Sequence, residues 1–535
     1  MPGNEATGPE AASNEERPTA ANRPVNQPSI RLSLTAPVRL WLMLLGASLG
    51  AFLIRFLVPV PVAQADNRDG PRLLCGLGLA PVTHGHPKFF RFAYFVYLHS
   101  RACDGRAPYP SSQLVPLEIA RLLTPLFGLP GALNMIALGV LMCVLASVGI
   151  ASLASGLRVR LWAKLLIAAV TWVIVADSAF FDVFAGPFSE PAALVGLLLI
   201  AGGVVYLRRG WRLTVFGLVL AGGGGALAIL SKEQYLVFAA PVCLTLVLAT
   251  AQPGRWRDLS RFRTREARAG IFVSATLAVL TALYMAWDYT SHYAQRLHYI
   301  QAVDMIFTDI VTNKRNARPG LRALGLPQSW AKYAGHYYWD TGSVRNNPLF
   351  SRYIGKLNDL NLGRYLFTHP GTALHIGQSA AIQAQLVRVT ALGDYAPSAG
   401  HPRGAKESRV IVFTWLMHLL PAHAGLLLYV PIWVAMILIA SLALGWSRRQ
   451  PWNRDGAVLV LCMTGCAVTG FVPPAFFAGI STTRHMVGMN LATALAFTIA
   501  VGLATSMIRQ AAASRRVQAQ VGEVPALREP SRSSP

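Results

Sequence analysis

Apolar residues in this chain occur in runs of roughly 20, separated by shorter polar segments. A run of that length is long enough to cross a bilayer as a helix. We predict ten spans, over residues 40–62, 132–155, 161–176, 191–207, 213–230, 235–251, 270–287, 424–446, 456–476 and 485–507. The pattern therefore predicts an all-α polytopic membrane protein with about ten transmembrane helices. The glycine run "AGGGGA" in the fifth span predicts close helix packing there.

The polar segments predict the domain organisation. Residues 1–38 have no apolar period and are expected to form a disordered cytoplasmic tail. The segment 288–423 is too long and too polar for a simple connector, and it predicts a small helical extracytoplasmic domain. The remaining predicted parts are an N-terminal transmembrane module at 39–287 with a large extracytoplasmic loop at 63–131, C-terminal transmembrane helices at 424–507, and a cytoplasmic tail at 508–535.

Composition and charge support this class. The chain is 53% hydrophobic and 13% charged, whereas soluble domains carry about 25% charged residues. Its net charge of +24 would suit nucleic acid, but much of the arginine lies in short segments between spans, which indicates topology instead. These segments hold Arg158, Arg160, Lys164, Arg208, Arg209, Arg212, Arg448, Arg449, Arg454 and the run "GRWRDLSRFRTREARAG". Loops rich in Lys and Arg stay in the cytoplasm, so we predict that both termini are cytoplasmic. We also predict that the bilayer is a partner and that the protein does not bind nucleic acid.

The first candidate acids lie in the large first loop. Asp66 and Asp69 follow the first span by a few residues, which places them at the membrane surface. A lipid-linked substrate presents its headgroup at that depth. The alternative is a polar loop start that only leaves the membrane.

A second group of acids lies in "ADSAFFDVFAGPFSEPAAL", residues 176–194. Ser189 can cap the following helix, Glu190 suits that helix's positive end, and Asp177 can mark the end of the preceding span. Asp182 is flanked by phenylalanines, and an apolar environment raises a carboxyl pKa, as proton transfer requires. Functional and structural roles for this loop remain equally open.

Candidate phosphate ligands follow in two short loops. Lys232 in "SKEQY" can hold a phosphate as a point charge, or form a surface pair with Glu233. Arg484 can grip a phosphate with two hydrogen bonds, and His485 can donate another or move a proton. Both residues could instead anchor the last helix at the interface.

Metal, thiol and aromatic sites are less specific. His84 and His86 could donate to a metal, although surface histidines are commoner; we assign no cofactor and leave a divalent metal open. Cys75 and Cys103 share an external loop and could form a disulfide. The 288–423 segment contains a group of aromatic residues: Trp330, Tyr333, Tyr337, Tyr338 and Trp339. These side chains could stack on sugar rings, but we favour the explanation that they form the core of the predicted domain.

No phosphate-binding glycine loop or dinucleotide motif occurs, which disfavours nucleotide-driven chemistry. The layout resembles the GT-C superfamily of polytopic membrane glycosyltransferases. "DNRDGPRLL", "FAGPFSEPAAL", "SKEQY", "YIQAVDMIFTDIVTNKRNARPGLRALGL" and "STTRHMVGMN" look like a bacterial cell-envelope group of hexose-transferase-like GT-C proteins. Many GT-C enzymes carry adjacent acids in the first loop, whereas here Asp66 and Asp69 are two residues further apart.

The resemblance implies an inverting transferase in the bacterial inner membrane, moving sugar from a polyprenyl-phosphate carrier to a cell-envelope glycan or lipid acceptor. It implies Asp69 as general base, with Asp66 as second choice. The substrate-binding residues would be Asp182, Glu190, Lys232, Arg484, His485 and Arg72. The alternatives are an O-antigen-type glycan polymerase or ligase and a non-enzymatic lipid or glycan transporter. Transporters place charges inside their spans. The spans predicted here are nearly uncharged, which weighs against transport. Arg55 is the main exception, and we expect its side chain to snorkel outward.

Overall fold

The structure is a computed structural model that describes residues 36–67, 69–81, 91–100, 110–251, 262–312, 314–446, 451–479 and 482–522. Most of the predicted N-terminal tail, His84, His86, Cys103, and residues 254–261 of the arginine-rich run lie outside the described residues.

Each of the ten predicted spans coincides with a helix. Eight helices in the described part of the chain are long and apolar enough to cross a membrane, and two apolar helices are shorter. The ten are α1 (Ala36–Leu57), α4 (Met135–Gly156), α5 (Leu161–Ala176), α7 (Glu190–Val204), α8 (Trp211–Ile229), a 3-10 turn (Glu233–Phe238) continued by α9 (Ala239–Thr250), α10 (Arg265–Thr290), α17 (Leu426–Trp446), α18 (Pro451–Phe476) and α20 (Val487–Gly522). The predicted all-α polytopic class is confirmed.

The first loop contains short elements that the sequence did not predict. Helix α2 (Gly70–Cys75) is followed by an antiparallel sheet of β1 (Leu79–Pro81), β2 (Val96–His99) and β3 (Leu133–Asn134), in the order β1-β2-β3. Strands of two to four residues are too short to show a two-residue alternation. Cys75 is disulfide-bonded, in agreement with the oxidising environment expected for this loop.

Helix α3 (Leu114–Leu126) lies between this sheet and α4. Its exposed apolar side chains recur at helical spacing: Val115, Ile119, Leu122 and Leu126. Such a stripe is typical of a helix that lies in the membrane interface.

Helix α7 is the centre of the bundle, and all of its residues are buried. It packs against α4 and α8 through glycines. A Cβ atom on Gly196 would lie 2.5 Å from the carbonyl oxygen of Gly224, and one on Gly224 would lie 2.7 Å from that of Gly196. The glycine run thus permits backbone-to-backbone packing, as predicted.

The two ends of the bundle differ. At one end the segments after α4 and α7 meet the start of α18, where Asp455 is 3.0 Å from Arg209 and 3.7 Å from Arg158. At the other end, which we call the loop side, the first loop and the long segment between α10 and α17 emerge. Which side faces the cytoplasm stays a prediction.

The long segment is helical and has its own core. It comprises α11 (His292–Met305), a π-helical turn (Ile306–Ile310), α12 (Lys314–Ala323), α13 (Phe350–Tyr353), α14 (Asp359–Thr368), α15 (Pro370–Gln385), α16 (Val412–His418) and several 3-10 turns. A buried cluster from Ile300 to Ile376 forms the core. Trp330 and Tyr338 are buried in it, as the favoured explanation required, but Tyr337 and Trp339 are exposed. The aromatic group is therefore split.

Candidate functional site

Six of the predicted site residues meet on the loop side, in what we call the charged cluster: Asp69, Arg72, Glu190, Lys232, Arg484 and His485. They come from the first loop, the start of α7, the turn before α9, and the one-turn helix α19 (Thr482–His485). Four segments distant in sequence thus converge at one point beside the predicted membrane surface.

Arg484 is the centre of the charged cluster. Its guanidinium is ion-paired with Asp69, and its Nε lies 3.3 Å from Glu190 Oε1. The same Glu190 oxygen is 3.3 Å from Lys232 Nζ. Arg72 approaches Asp69 Oδ1 at 3.6 Å. These five ion-paired side chains carry three positive and two negative charges, so the cluster retains an excess of positive charge.

The two carboxylates differ in exposure. The Glu190 side chain is 1% exposed, whereas that of Asp69 is 25% exposed. Glu190 therefore holds Lys232 and Arg484 from beneath, and Asp69 lies at the accessible rim. Ser189 is the N-cap residue of α7, as predicted, but its side chain makes no capping hydrogen bond and donates to Glu190 Oε2 at 3.4 Å.

Asp69 is strongly stabilised as a carboxylate. Burial raises its pKa, but the positive charges of Arg484, Lys232 and Arg72 outweigh burial and hold that pKa well below its usual range. Asp69 is therefore ionised at neutral pH.

His485 is a neutral acceptor in this arrangement. Burial, and then the charges of Lys232 and Arg484, lower its pKa well below the usual value. Its Nε2 lies 3.2 Å from Lys232 Nζ and 3.2 Å from an Arg484 nitrogen. Because both neighbours can only donate, Nε2 accepts and the ring proton is on Nδ1. The role predicted for His485, as a further donor to a phosphate or a group that moves a proton, stays a prediction.

Asp66 is close by but has another partner. Its Oδ1 accepts a hydrogen bond from the backbone N–H of Gly70 at 3.0 Å, which holds the start of α2. Asp69, three residues further on, is paired with Arg72 and Arg484 of the charged cluster.

Asp182 lies outside the charged cluster. It belongs to a buried network with Arg55 at 3.3 Å and Arg388 at 3.4 Å, and Arg388 also contacts Asp394 at 2.8 Å. Burial and the neighbouring Asp394 raise the pKa of Asp182, although Arg55 and Arg388 oppose that change. The structure thus does not bring Asp182 together with Asp69, Lys232 and Arg484.

Arg55 is the second departure from the sequence analysis. It does not snorkel to solvent, since it is 5% exposed, lies 3.6 Å from Glu407 and packs on the Phe181 ring at 5.0 Å. Arg388, Asp394 and Glu407 were not predicted as site residues, because charged residues in a long polar segment carry no signal of burial. We call Arg55, Asp182, Arg388, Asp394 and Glu407 the buried network.

The buried network positions the start of the first loop. The backbone N–H of Gln64 donates to the Asp182 carbonyl, and those of Ala63 and Ala65 donate to the carbonyls of Asp394 and Gly393 at 3.1 and 2.8 Å. Residues 63–65, at the start of the first loop, are therefore held on both sides by the residues of the buried network and their neighbours.

Among the described residues, no group of three or more His, Cys, Asp or Glu side chains is placed to hold a metal ion. The two histidines named for that role lie outside this part of the chain. The question of a divalent metal stays open.

Comparison with known proteins gives one match. The family model of the YfdI N-terminal transmembrane domain matches residues 31–522. Neither the curated proteins nor the solved structures give a match. Since the matched region includes all ten apolar helices, both large loop-side segments and every residue of the charged cluster, the chain belongs to the YfdI N-terminal transmembrane domain family.

Proposed function

We propose that this protein is a membrane glycosyltransferase of the GT-C type. It transfers a sugar from a polyprenyl-phosphate carrier to a hydroxyl of a cell-envelope glycan or lipid, on the extracytoplasmic face of the bacterial inner membrane. The observation that carries the proposal is the contact of one rim carboxylate, Asp69, with the guanidinium of Arg484, beside Lys232 and Arg72. A general base and a phosphate site are thus side by side.

The reaction needs both parts. Asp69 removes the proton from the acceptor hydroxyl, whose oxygen attacks the anomeric carbon from the face opposite the phosphate. The bond between that carbon and the phosphate oxygen breaks, and the carrier phosphate leaves with a negative charge. Base catalysis of this kind contributes about 10²–10⁴-fold. Lys232 and Arg484 stabilise the charge that develops on the phosphate.

The ion pair between Arg484 and Asp69 supports an ordered reaction. A carrier phosphate competes with Asp69 for the guanidinium, because both are anions that Arg binds through the same nitrogens. When Arg484 turns to the phosphate, the pKa of Asp69 rises towards its ordinary value and the carboxylate becomes a better base. Glu190 keeps Arg484 and Lys232 in place during this exchange.

The test is a transfer assay in membranes that contain the full-length protein, with radiolabelled polyprenyl-phosphate hexoses as donors and envelope glycolipids as acceptors. We expect Asp69→Asn to lower the transfer rate about 10²-fold or more at normal expression. Glu118→Gln, an acid on the exposed surface of α3, is the matched control and keeps the wild-type rate.

Two outcomes contradict the proposal. Full transfer by Asp69→Asn would show that Asp69 is not the base. Absence of transfer from every polyprenyl-phosphate sugar by the wild-type protein would exclude the proposed donor class.

A further inference from the structure

A polar cavity lies next to the charged cluster and has no part in the proposed transfer reaction. Its volume is about 330 Å³, and its wall is mainly polar. It is bounded by the π-helical turn at 306–310, by α15 and the residues after it, and by Gly479 and Thr483. The polar side chains at its wall include Thr308, Asp309, Ser379, Gln383 and Arg388. Ligand pockets start at about 300 Å³, so this cavity suits a small ligand.

The π-helical turn places two of these side chains at the cavity wall. The Thr308 hydroxyl lies 2.7 Å from the Asp304 carbonyl oxygen and 3.0 Å from Asp309 Oδ2, and it donates its one proton to one of these two acceptors at a time. A π-turn interrupts a regular helix, and such turns occur frequently at functional sites. The turn lies inside the segment "YIQAVDMIFTDIVTNKRNARPGLRALGL", which has no role in the proposed transfer reaction.

Helix α19 connects the cavity to the charged cluster. Thr483 donates to the Gln383 carbonyl at 3.0 Å and lies 3.3 Å from its side-chain Oε1. The next residue, Arg484, reaches Asp69 and Glu190. The cavity wall and the base are therefore positioned by consecutive residues of the same helical turn.

The charges at the wall decide what kind of ligand fits. The Arg388 guanidinium is already paired with Asp182 at 3.4 Å and Asp394 at 2.8 Å. Asp309 lies 3.0 Å from a hydroxyl and is in no ion pair within the described part of the chain. At this wall the charge of Arg388 is already balanced by acids, and the negative charge of Asp309 favours a neutral ligand that donates hydrogen bonds over a phosphate or carboxylate.

Neutral donors and acceptors complete the wall. Ser379 and Thr308 carry hydroxyls, Gln383 carries an amide, and each can donate as well as accept. The Tyr337 ring, 41% exposed, also borders the cavity and offers an apolar face. A sugar ring combines vicinal hydroxyls, which a carboxylate accepts in pairs, with an apolar face that packs on an aromatic ring.

We infer that this cavity is a binding site for a neutral pyranose ring, with Asp309 as the main acceptor of its hydroxyl groups. The inference rests on the proposed function for the source of the ring, which is either the sugar being transferred or the acceptor glycan. Both present the same hydroxyl-rich chemistry.

The binding test uses the purified full-length protein in detergent and needs no transfer activity. Saturation-transfer NMR is recorded with D-glucose, D-galactose, D-mannose and N-acetyl-D-glucosamine as probes. We expect the wild-type protein to saturate at least one of them and Asp309→Asn to lose most of that signal. Glu118→Gln, distant from the cavity, is the control and keeps the signal. Ser379→Leu fills the cavity without changing Asp309, and we expect the same loss from it.

The inference is overturned if the wild-type protein saturates none of the four sugars, or if both Asp309→Asn and Ser379→Leu bind as the wild type does. If either variant fails to fold, the other decides. Sugar binding without any transfer from a polyprenyl-phosphate donor would refute the proposed reaction and leave this site standing.

The transfer assay separates the two sources of the ring. A site for the transferred sugar predicts that Asp309→Asn raises the KM for the donor at least tenfold and leaves the KM for the acceptor unchanged. A site for the acceptor predicts the reverse. Unchanged values for both substrates in an active enzyme would overturn the inference.

Discussion

The guanidinium of Arg484 contacts Asp69 and Glu190 at the same time, and it does so through different nitrogens. A lysine carries its charge on one nitrogen and cannot reproduce that geometry. Arg484 therefore acts as a planar bridge between the exposed and the buried carboxylate of the charged cluster.

We expect Arg484→Lys to raise the KM for the lipid-linked donor about 10- to 100-fold, as one to two charge-assisted hydrogen bonds are lost. The measurement is donor-dependent transfer in membranes at matched expression. Arg364→Lys, on the exposed side of α14, is the control and leaves the KM unchanged. An unchanged KM in Arg484→Lys would contradict the proposal that Arg484 binds the donor phosphate through two hydrogen bonds.

Arg55 carries the second prediction. Arg55→Met leaves Asp182 and Glu407 buried with fewer positive partners, and breaking a buried pair costs about 3–5 kcal/mol. Arg121→Met removes a partner from the exposed Arg121–Glu118 pair, whose worth is about 0–1 kcal/mol. Thermal unfolding of the detergent-solubilised variants should therefore show a large decrease in midpoint for the first and almost none for the second. Equal decreases would mean that the buried network is not a main source of stability.

Glycine packing between α7 and α8 gives a matched pair of substitutions. In Gly224→Ala the new Cβ would lie 2.7 Å from the Gly196 carbonyl oxygen, so the helices must separate at a cost of about 1–3 kcal/mol. In Gly223→Ala the new Cβ has nothing within 4 Å, and helix propensity favours Ala. The expected result is a lower unfolding midpoint for Gly224→Ala alone. A similar loss in both variants would show that close contact is not the cause.

His298 links the end of α10 to the loop-side domain and gives a pH prediction. Its Nε2 is 2.9 Å from Asp288 and its Nδ1 is 2.7 Å from Asp359, and the hydrogen bonds to these carboxylates raise its pKa to about 10. Because the folded pKa is above the unfolded value of about 6.5, the stabilisation is complete below that pH and is lost as pH rises towards about 10.

The unfolding midpoint of the wild-type protein should therefore fall more steeply from pH 7 to 10 than that of His298→Gln. The difference between the two proteins should be largest near pH 6. If the two pH profiles run parallel, His298 is not charged in the folded protein.

The fold was largely predictable because long apolar runs report directly on helices in a membrane. All ten helices coincide with such runs. The three-stranded sheet was missed because each strand is too short to have a period. These signals are local, and each needs only neighbouring residues.

The candidate site was predictable only in part, because contact between distant segments is not local. Asp69, Glu190, Lys232 and Arg484 were recognised one loop at a time by their charge beside a span, and the structure brings them together. Asp182 was selected for a different reason, as an acid among phenylalanines, and the structure places it in the buried network. Its partner Arg388 is 206 positions away in sequence, and no pattern near Asp182 points to it.

The contact of Arg484 with Asp69 also has a consequence for biosynthesis. The two residues are 415 positions apart, so at about 5–20 residues per second the ribosome adds Arg484 roughly 20–80 s after Asp69. Throughout that interval Asp69 and Glu190 lack the guanidinium that later bridges them, and helix α20 is still to be made. We expect chains truncated before residue 484 to insert into the membrane yet be degraded rapidly, which pulse-chase labelling against the full-length chain would measure. Equal lifetimes would show that the early helices hold the charged loops without their last partner.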